Sequence, residues 1–189
     1  MVGFENRAEA ERFLNKLRER LAKFGLELHA EKTRLMEFGQ YAEQNRKRRG
    51  EAKPETFTFL GFMHYCGKRR GNGSFIVWRT TAKKRMVAKL RAIKAELVRR
   101  KHEPSAQVGE WLKKVVQGYY QYHAVPGNMS QLSIFRHRVR RFWRAVLNRR
   151  SQRAELNWQR LNPLLDRWIP FPRVLHPYPQ ARFAARHPR

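Results

Sequence analysis

Asp166 is the only aspartate in this chain of 189 residues, beside 14 glutamates. Two-metal phosphoryl transfer needs at least two convergent carboxylates holding Mg²⁺ ions roughly 4 Å apart. A lone Asp166 next to Arg167, with glutamates spread over charged helical faces, is poorly suited to that work. The basic side chains point elsewhere. Forty-two Lys and Arg set the formal net charge at +27 and the pI at about 11.5. A surplus of that size repels itself unless a polyanion neutralises it. Arg136, Arg138, Arg140, Arg141, Arg144, Arg149, Arg150 and Arg153 crowd one stretch. Arg136/Arg140 and Arg140/Arg144 have the four-residue spacing at which like charges repel on a helix. The planar fork of arginine pairs bidentately with phosphate and stacks on bases. A charge run ordinarily marks only a solvated face; this density predicts nucleic-acid contact. Folded RNA is favoured over duplex DNA because no helix-turn-helix, zinc-finger or zipper pattern is present.

Other reactive types carry less. His29, His64, His102, His123, His137, His176 and His187 are scattered with no ligand spacing, so no metal site is expected. Cys66 is the single cysteine, which excludes an internal disulfide, fits a reducing cytosol and reads as an inert strand residue. Trp111, Tyr119, Tyr120, Tyr122 and His123 form an aromatic patch. Trp111 and Tyr119 fit a helix core, while Tyr122 and His123 stand where they could stack on bases. Mean hydropathy is −0.79 and no apolar stretch approaches 18 residues, so no membrane span is expected. Met1–Asn6 lacks the basic-then-apolar order of a secretory signal.

The elements that must position these residues fall into two groups. Ala10, Phe13, Leu14, Leu17, Leu21 and Phe24 predict a first helix closed by Gly25. Gly25–Leu28 and Thr33–Phe38 read as extended, the second as a strand, and Arg46–Gly50 as a solvated basic loop. Thr56–Tyr65 is the clearest strand; Lys68–Gly73 is a turn, and Phe75–Trp78 returns antiparallel. From Thr80 the period changes to helical. Met86, Leu90, Ile93 and Leu97 form one stripe, with Lys83, Lys84, Lys89, Arg91, Lys94, Arg99 and Arg100 over the rest. Ser105 is the expected N-cap of a second helix carrying Val108, Trp111, Leu112, Val115, Val116, Tyr119 and Tyr120. Pro126-Gly127-Asn128 breaks it. A third helix carries Leu132, Phe135, Val139, Phe142, Trp143, Val146 and Leu147, and a fourth runs near Leu156–Trp168. Beyond Pro170 the prolines predict an extended tail.

The expectation is an α+β fold: a small antiparallel sheet with one helix over residues 1–79, a helical bundle over 80–169 and a Pro/Arg-rich tail over 170–189. One helix on a few strands is thin for an independent core.

The order of these pieces resembles the C-terminal part of bacterial group II intron-encoded reverse transcriptases, or maturases. Phe4-Glu5-Asn6-Arg7-Ala8-Glu9-Ala10 is similar to the segment after that family's Tyr-Ala-Asp-Asp box. Gly25-Leu26-Glu27-Leu28-His29-Ala30-Glu31-Lys32-Thr33 resembles its Gly-Leu…Glu-Lys-Thr block, and Phe59-Leu60-Gly61-Phe62 its Phe-Leu-Gly-Phe block. Trp111-Leu112 through Gly118-Tyr119-Tyr120-Gln121-Tyr122-His123 resembles its thumb or maturase region. The likeness covers nearly the whole chain in order. It implies the end of a palm followed by a thumb, with the catalytic aspartates and the Mg²⁺ they hold belonging upstream of Met1, and no Cys/His-rich nuclease region. The expected reading frame is one starting at an internal Met, from a truncated intron copy or a short gene prediction.

The resemblance implies RNA binding, either intron RNA held for splicing or a template–primer duplex gripped during reverse transcription. It places Lys32 facing the polymerase site as a proton donor to pyrophosphate; the alternative is a solvated lysine at a strand entrance. It places Gly61 in the hairpin that grips a primer end. There the missing Cβ lets backbone approach a strand closely, while Phe57 and Phe59 read as core. Lys83, Lys84 and Arg91 join Lys32, Gly61 and the arginines of the third helix as the nucleic-acid contacts. The chain is expected to be inactive alone as an RNA-directed DNA polymerase and to need no cofactor of its own. A polymerase active once a palm is supplied, and a non-functional remnant, stay open as alternatives.

Overall fold

The strongest apolar periods in the sequence become the longest helices. A computed structural model describes residues 1–69, 71–150 and 157–178. The elements follow as α1 (Arg7–Ala22), α2 (Ala42–Arg48), β1 (Phe57–Phe59), β2 (Phe62–Lys68), β3 (Phe75–Thr81), α3 (Lys83–Arg99), α4 (Ser105–His123), α5 (Met129–Asn148) and α6 (Trp158–Trp168). The fold is α+β, with the strands in one antiparallel sheet of order β1-β2-β3.

Four local expectations are corrected. Thr33–Phe38 is irregular, because none of the strands takes it as a partner and an extended segment needs one to satisfy its backbone. Arg46, Lys47 and Arg48 close α2 instead of forming a loop. Glu51 lies 3.6 Å from Arg46, and Arg49 donates to Glu51 at 2.6 Å and to Glu37, so acidic neighbours neutralise the run. The stretch Thr56–Tyr65 is broken into β1 and β2 by a two-residue turn. Phe59 faces Phe62 across it, and Leu60 and Gly61 take φ of 47° and 78°. Positive φ at both central residues is what a hairpin matching the twist of its strands requires. Pro104, not Ser105, is the N-cap of α4. The turn after β2 closes by Arg69 N–H donating to Ser74 O, and Arg70 lies outside the described residues. So do Arg153 and the tail from Pro179.

The fold divides into two units. Met1–Thr56 with Tyr65–Val77 form the first; Phe57–His64 with the described residues from Trp78 onward form the second. The sequence places one boundary near residue 79. The structure divides the chain at Trp78 and also assigns the β1–β2 turn to the helical unit.

The first unit buries little. Among its described residues only Ala10 and Ala42 are fully buried apolar side chains, while Phe24 and Leu26 are 71% and 56% exposed. At about 25 cal/mol per Å² of apolar surface removed from water, such a unit gains little from burial.

The second unit holds the core. Met86, Leu90, Ile93 and Leu97 of α3 pack with Leu112 and Val116 of α4, with Phe135, Val139 and Trp143 of α5, and with Leu161 and Leu165 of α6. Three contacts fix the helix directions. Asn128 at the start of α5 bonds Thr81 just before α3; Lys94 lies over the Phe142 ring; Arg150 after α5 donates to Arg100 O after α3. α3 and α5 therefore run parallel. α4 runs against them, since Ser105 meets Arg150 and His123 meets Thr81.

Candidate nucleic-acid interface

Helical phase sorts the arginines of α5 into two sets. Arg136, Arg140 and Arg144 recur every fourth residue and so share one ridge, which faces α6. Arg136 is only 6% exposed. It donates to Asp166 at 2.5 Å and to the carbonyls of Ile169 and Pro170 at 3.2 Å, and its guanidinium lies 3.7 Å from the Phe171 ring centre. Arg140 donates to Asn162 at 2.7 Å and stands 3.3 Å from Asp166. Arg144 stacks at 4.6 Å over Trp158. Asp166 thus sits between two cations that would otherwise repel. Arg136 is an interior residue, out of reach of a phosphate, and Arg140 and Arg144 pack on α6. No local pattern announces this, because the neutralising carboxylate arrives 30 residues later.

The second set points outward. Arg138, Arg141 and Arg149 are exposed. Arg138 lies one turn before Phe142, and Arg149 two turns after it. Phe142 is the ring that Lys94 of α3 approaches at 5.9 Å, and Arg91, also exposed, precedes Lys94 by one turn. Parallel α3 and α5 thus bring Arg91, Lys94, Arg138 and Arg149 to adjoining flanks, with Arg141 on the outer face. Among the described residues, the ion pairs leave these five without a carboxylate. Elsewhere acid is spent on structure. Arg99 and Arg100 pair with Glu96 at 2.6 and 2.5 Å, which holds the Glu96 carboxyl down at about 2. Arg150 donates to Ser105 Oγ and to Arg100 O, each at 3.3 Å, so it stitches helix ends together.

A second group gathers where α3 and α5 begin. Ala82 N–H donates to Gly61 O at 2.9 Å, which places the hairpin turn directly against the first turn of α3 with its exposed Lys83 and Lys84. That helix start has no acidic residue and no side-chain cap, so three cations, Arg85 included, face the positive end of its dipole. The turn itself is clamped. Tyr122 Oη donates to Leu60 O at 2.6 Å, and the Phe62 ring lies 5.6 Å from Tyr122 and 5.2 Å from His123. Leu60 is left 66% exposed. Gly61 and the Lys83–Lys84 pair, more than 20 residues apart in the sequence, stand together. Lys32 is exposed in a turn of the first unit.

Beneath this end lies a polar network that the sequence did not announce. Asn128 Oδ1 accepts from Thr81 N–H at 2.9 Å, and its amide donates to Thr81 Oγ1 and to His123 O, each at 2.8 Å. His123 is buried, with Nδ1 3.4 Å from Thr81 Oγ1, and burial lowers its pKa to about 4. It is a neutral core histidine, which removes it from the base-stacking candidates. Tyr119, stacked at 3.7 Å on Phe135, is core as well. Asn128 carries the usual mark of a turn, and only its packing reveals it as the hub.

Among the described residues no three His, Cys, Asp or Glu side chains come together as a metal-holding group, and no helix is long and apolar enough to cross a membrane. The arrangement offers cationic, hydrogen-bond-donating surface on a rigid scaffold, and Asp166 is taken by two arginines. No protein-family model matches the chain, and no curated protein or solved structure is similar to it.

Proposed function

We propose that this chain is an RNA-binding region whose helical unit clamps structured RNA electrostatically, as the likeness to the thumb and maturase region of group II intron reverse transcriptases implies. The observation that carries the reading is the parallel α3–α5 pair, with Arg91, Lys94, Arg138, Arg141 and Arg149 exposed and, among the described residues, in no ion pair with a carboxylate. Cations held this close on stiff helices gain most from a ligand that brings phosphates at regular spacing. Lys83, Lys84 and the Gly61 turn extend the cationic surface at the end where both helices start. The packed core supports the clamp by fixing the distance between the flanks. Intron RNA is the proposed partner, a template–primer duplex the second, and the cytoplasm the proposed place of action.

A filter-binding titration against structured RNA across a salt series tests this. Each phosphate contact adds about 0.7–0.9 to the slope of log affinity against log salt. The Arg138→Ala/Arg141→Ala pair is therefore expected to lower the slope by about 1.5. Binding that hardly changes with salt would remove the proposal.

A further inference from the structure

The segment after α6 crosses the far half of α4 as an extended strap. Its backbone is fixed at several points: Tyr120 Oη donates to Pro170 O at 3.3 Å, Leu175 N–H donates to Ala124 O at 2.9 Å, and His176 Nε2 stands 2.6 Å from Gln121 O. Between strap and helix lies an open groove of about 580 Å³, within the range of small-ligand sites.

The groove has an unusual wall. Phe171 is 67% exposed, yet its ring does not hang loose. One face lies 3.7 Å from the guanidinium carbon of Arg136, and Arg136 is itself fixed by Asp166 and two backbone carbonyls. A phenyl ring so exposed gains little from burial, and its orientation is set by a buried cation behind it. Across from it, Gln117 and Gln121 lie one helical turn apart on the same face of α4. Each carries a carbonyl acceptor and an amide donor, the pairing that reads the edge of a base. Arg173 stands exposed at the rim, a cation open to an anionic partner.

We infer that this groove is a subsite for one unpaired base of single-stranded RNA, stacked on the open face of Phe171, edged by Gln117 and Gln121, and followed by a phosphate on Arg173. The inference rests on the RNA-binding reading for the class of polymer, but it concerns a surface away from the α3–α5 flanks. Charge complementarity selects the occupant, because a proline-rich peptide would use the aromatic ring and leave Arg173 without a partner. Preorganisation by Arg136 lowers the ordering cost of stacking.

The test uses the full chain and a six-nucleotide single-stranded RNA carrying 2-aminopurine, whose fluorescence falls on stacking. Wild type should quench it. Phe171→Ala should weaken binding by about 5- to 150-fold, the range for one lost base stack. Phe171→Tyr should retain it, and Arg173→Ala should weaken it with the quench preserved at saturation. Phe171 is exposed, so thermal unfolding of the Ala variant should match wild type. Equal binding and quench in wild type and Phe171→Ala overturns the inference, as does binding of a proline-rich peptide without the oligonucleotide. If structured RNA fails to bind while the hexamer still reports Phe171, the broader clamp falls and the groove stands. The reverse result removes the groove alone, and no binding of either RNA removes both.

Discussion

The Arg136 guanidinium donates to the Asp166 carboxylate at 2.5 Å, and the same oxygen lies 3.3 Å from Arg140. One acid therefore holds two cations of neighbouring helical turns against α6. Asp166→Asn is expected to cost about 1–3 kcal/mol, the scale of a charge-assisted hydrogen bond, because the carboxylate is partly exposed. Arg136→Ala should cost at least as much, since it also strips Ile169 O and Pro170 O of their donor. Arg138→Ala, on the outer face, should stay within about 0.5 kcal/mol. Urea unfolding midpoints check all three; equal costs at positions 136 and 138 would refute the division of α5 into inner and outer arginines.

Acid should loosen the helical unit before the glutamates titrate. The unfolded chain takes a proton on His123 near pH 6.5, whereas the folded chain resists until about 4 because burial disfavours the imidazolium. The unfolded state binds more protons across that window, so stability falls as pH drops through it and is full above about 6.5. His64, also lowered by burial, adds a change of the same sign. Circular dichroism melts between pH 7 and 4.5 should show the decline, and His123→Gln should flatten it. A melting temperature constant over that window contradicts the placement of His123.

Gly109 on α4 lets the Trp168 indole lie on bare backbone: a Cβ there would come within 2.5 Å of the ring. Gly109→Ala is expected to destabilise by about 1–3 kcal/mol through overpacking, in spite of the better helix propensity of alanine. Trp168→Leu in the same chain should recover part of that loss, a non-additive result that unfolding of the double variant reads directly.

Limited proteolysis should cut the Met1–Thr56 part of the first unit early and leave a resistant fragment beginning close to Phe57. Local stability follows buried apolar contact, and the core belongs to the second unit. Mass spectrometry of the fragment decides the matter. A start near residue 79 would mean that the β1–β2 turn does not share the stability of the helices.

Where a residue's role is set by neighbours three or four positions away, it was legible in the sequence. The stripe Met86, Leu90, Ile93, Leu97 is the α3 core, and the α4 and α5 stripes hold in the same way, since one face of a helix is written in its own period. Roles set across the fold were not legible. Thr33–Phe38 has strand-like composition, but pairing needs a partner that no local pattern supplies. Asn128 has the composition of a turn and the position of a core hub. Arg136 and Arg138 are alike in sequence, two residues apart, and opposite in place. The period says that they face different ways; only the packing of Asp166 against α5 says which of them faces solvent. The chain alone thus established a strongly cationic α+β protein with a helical second half, and tertiary structure decided which of its described arginines are structural and which remain exposed.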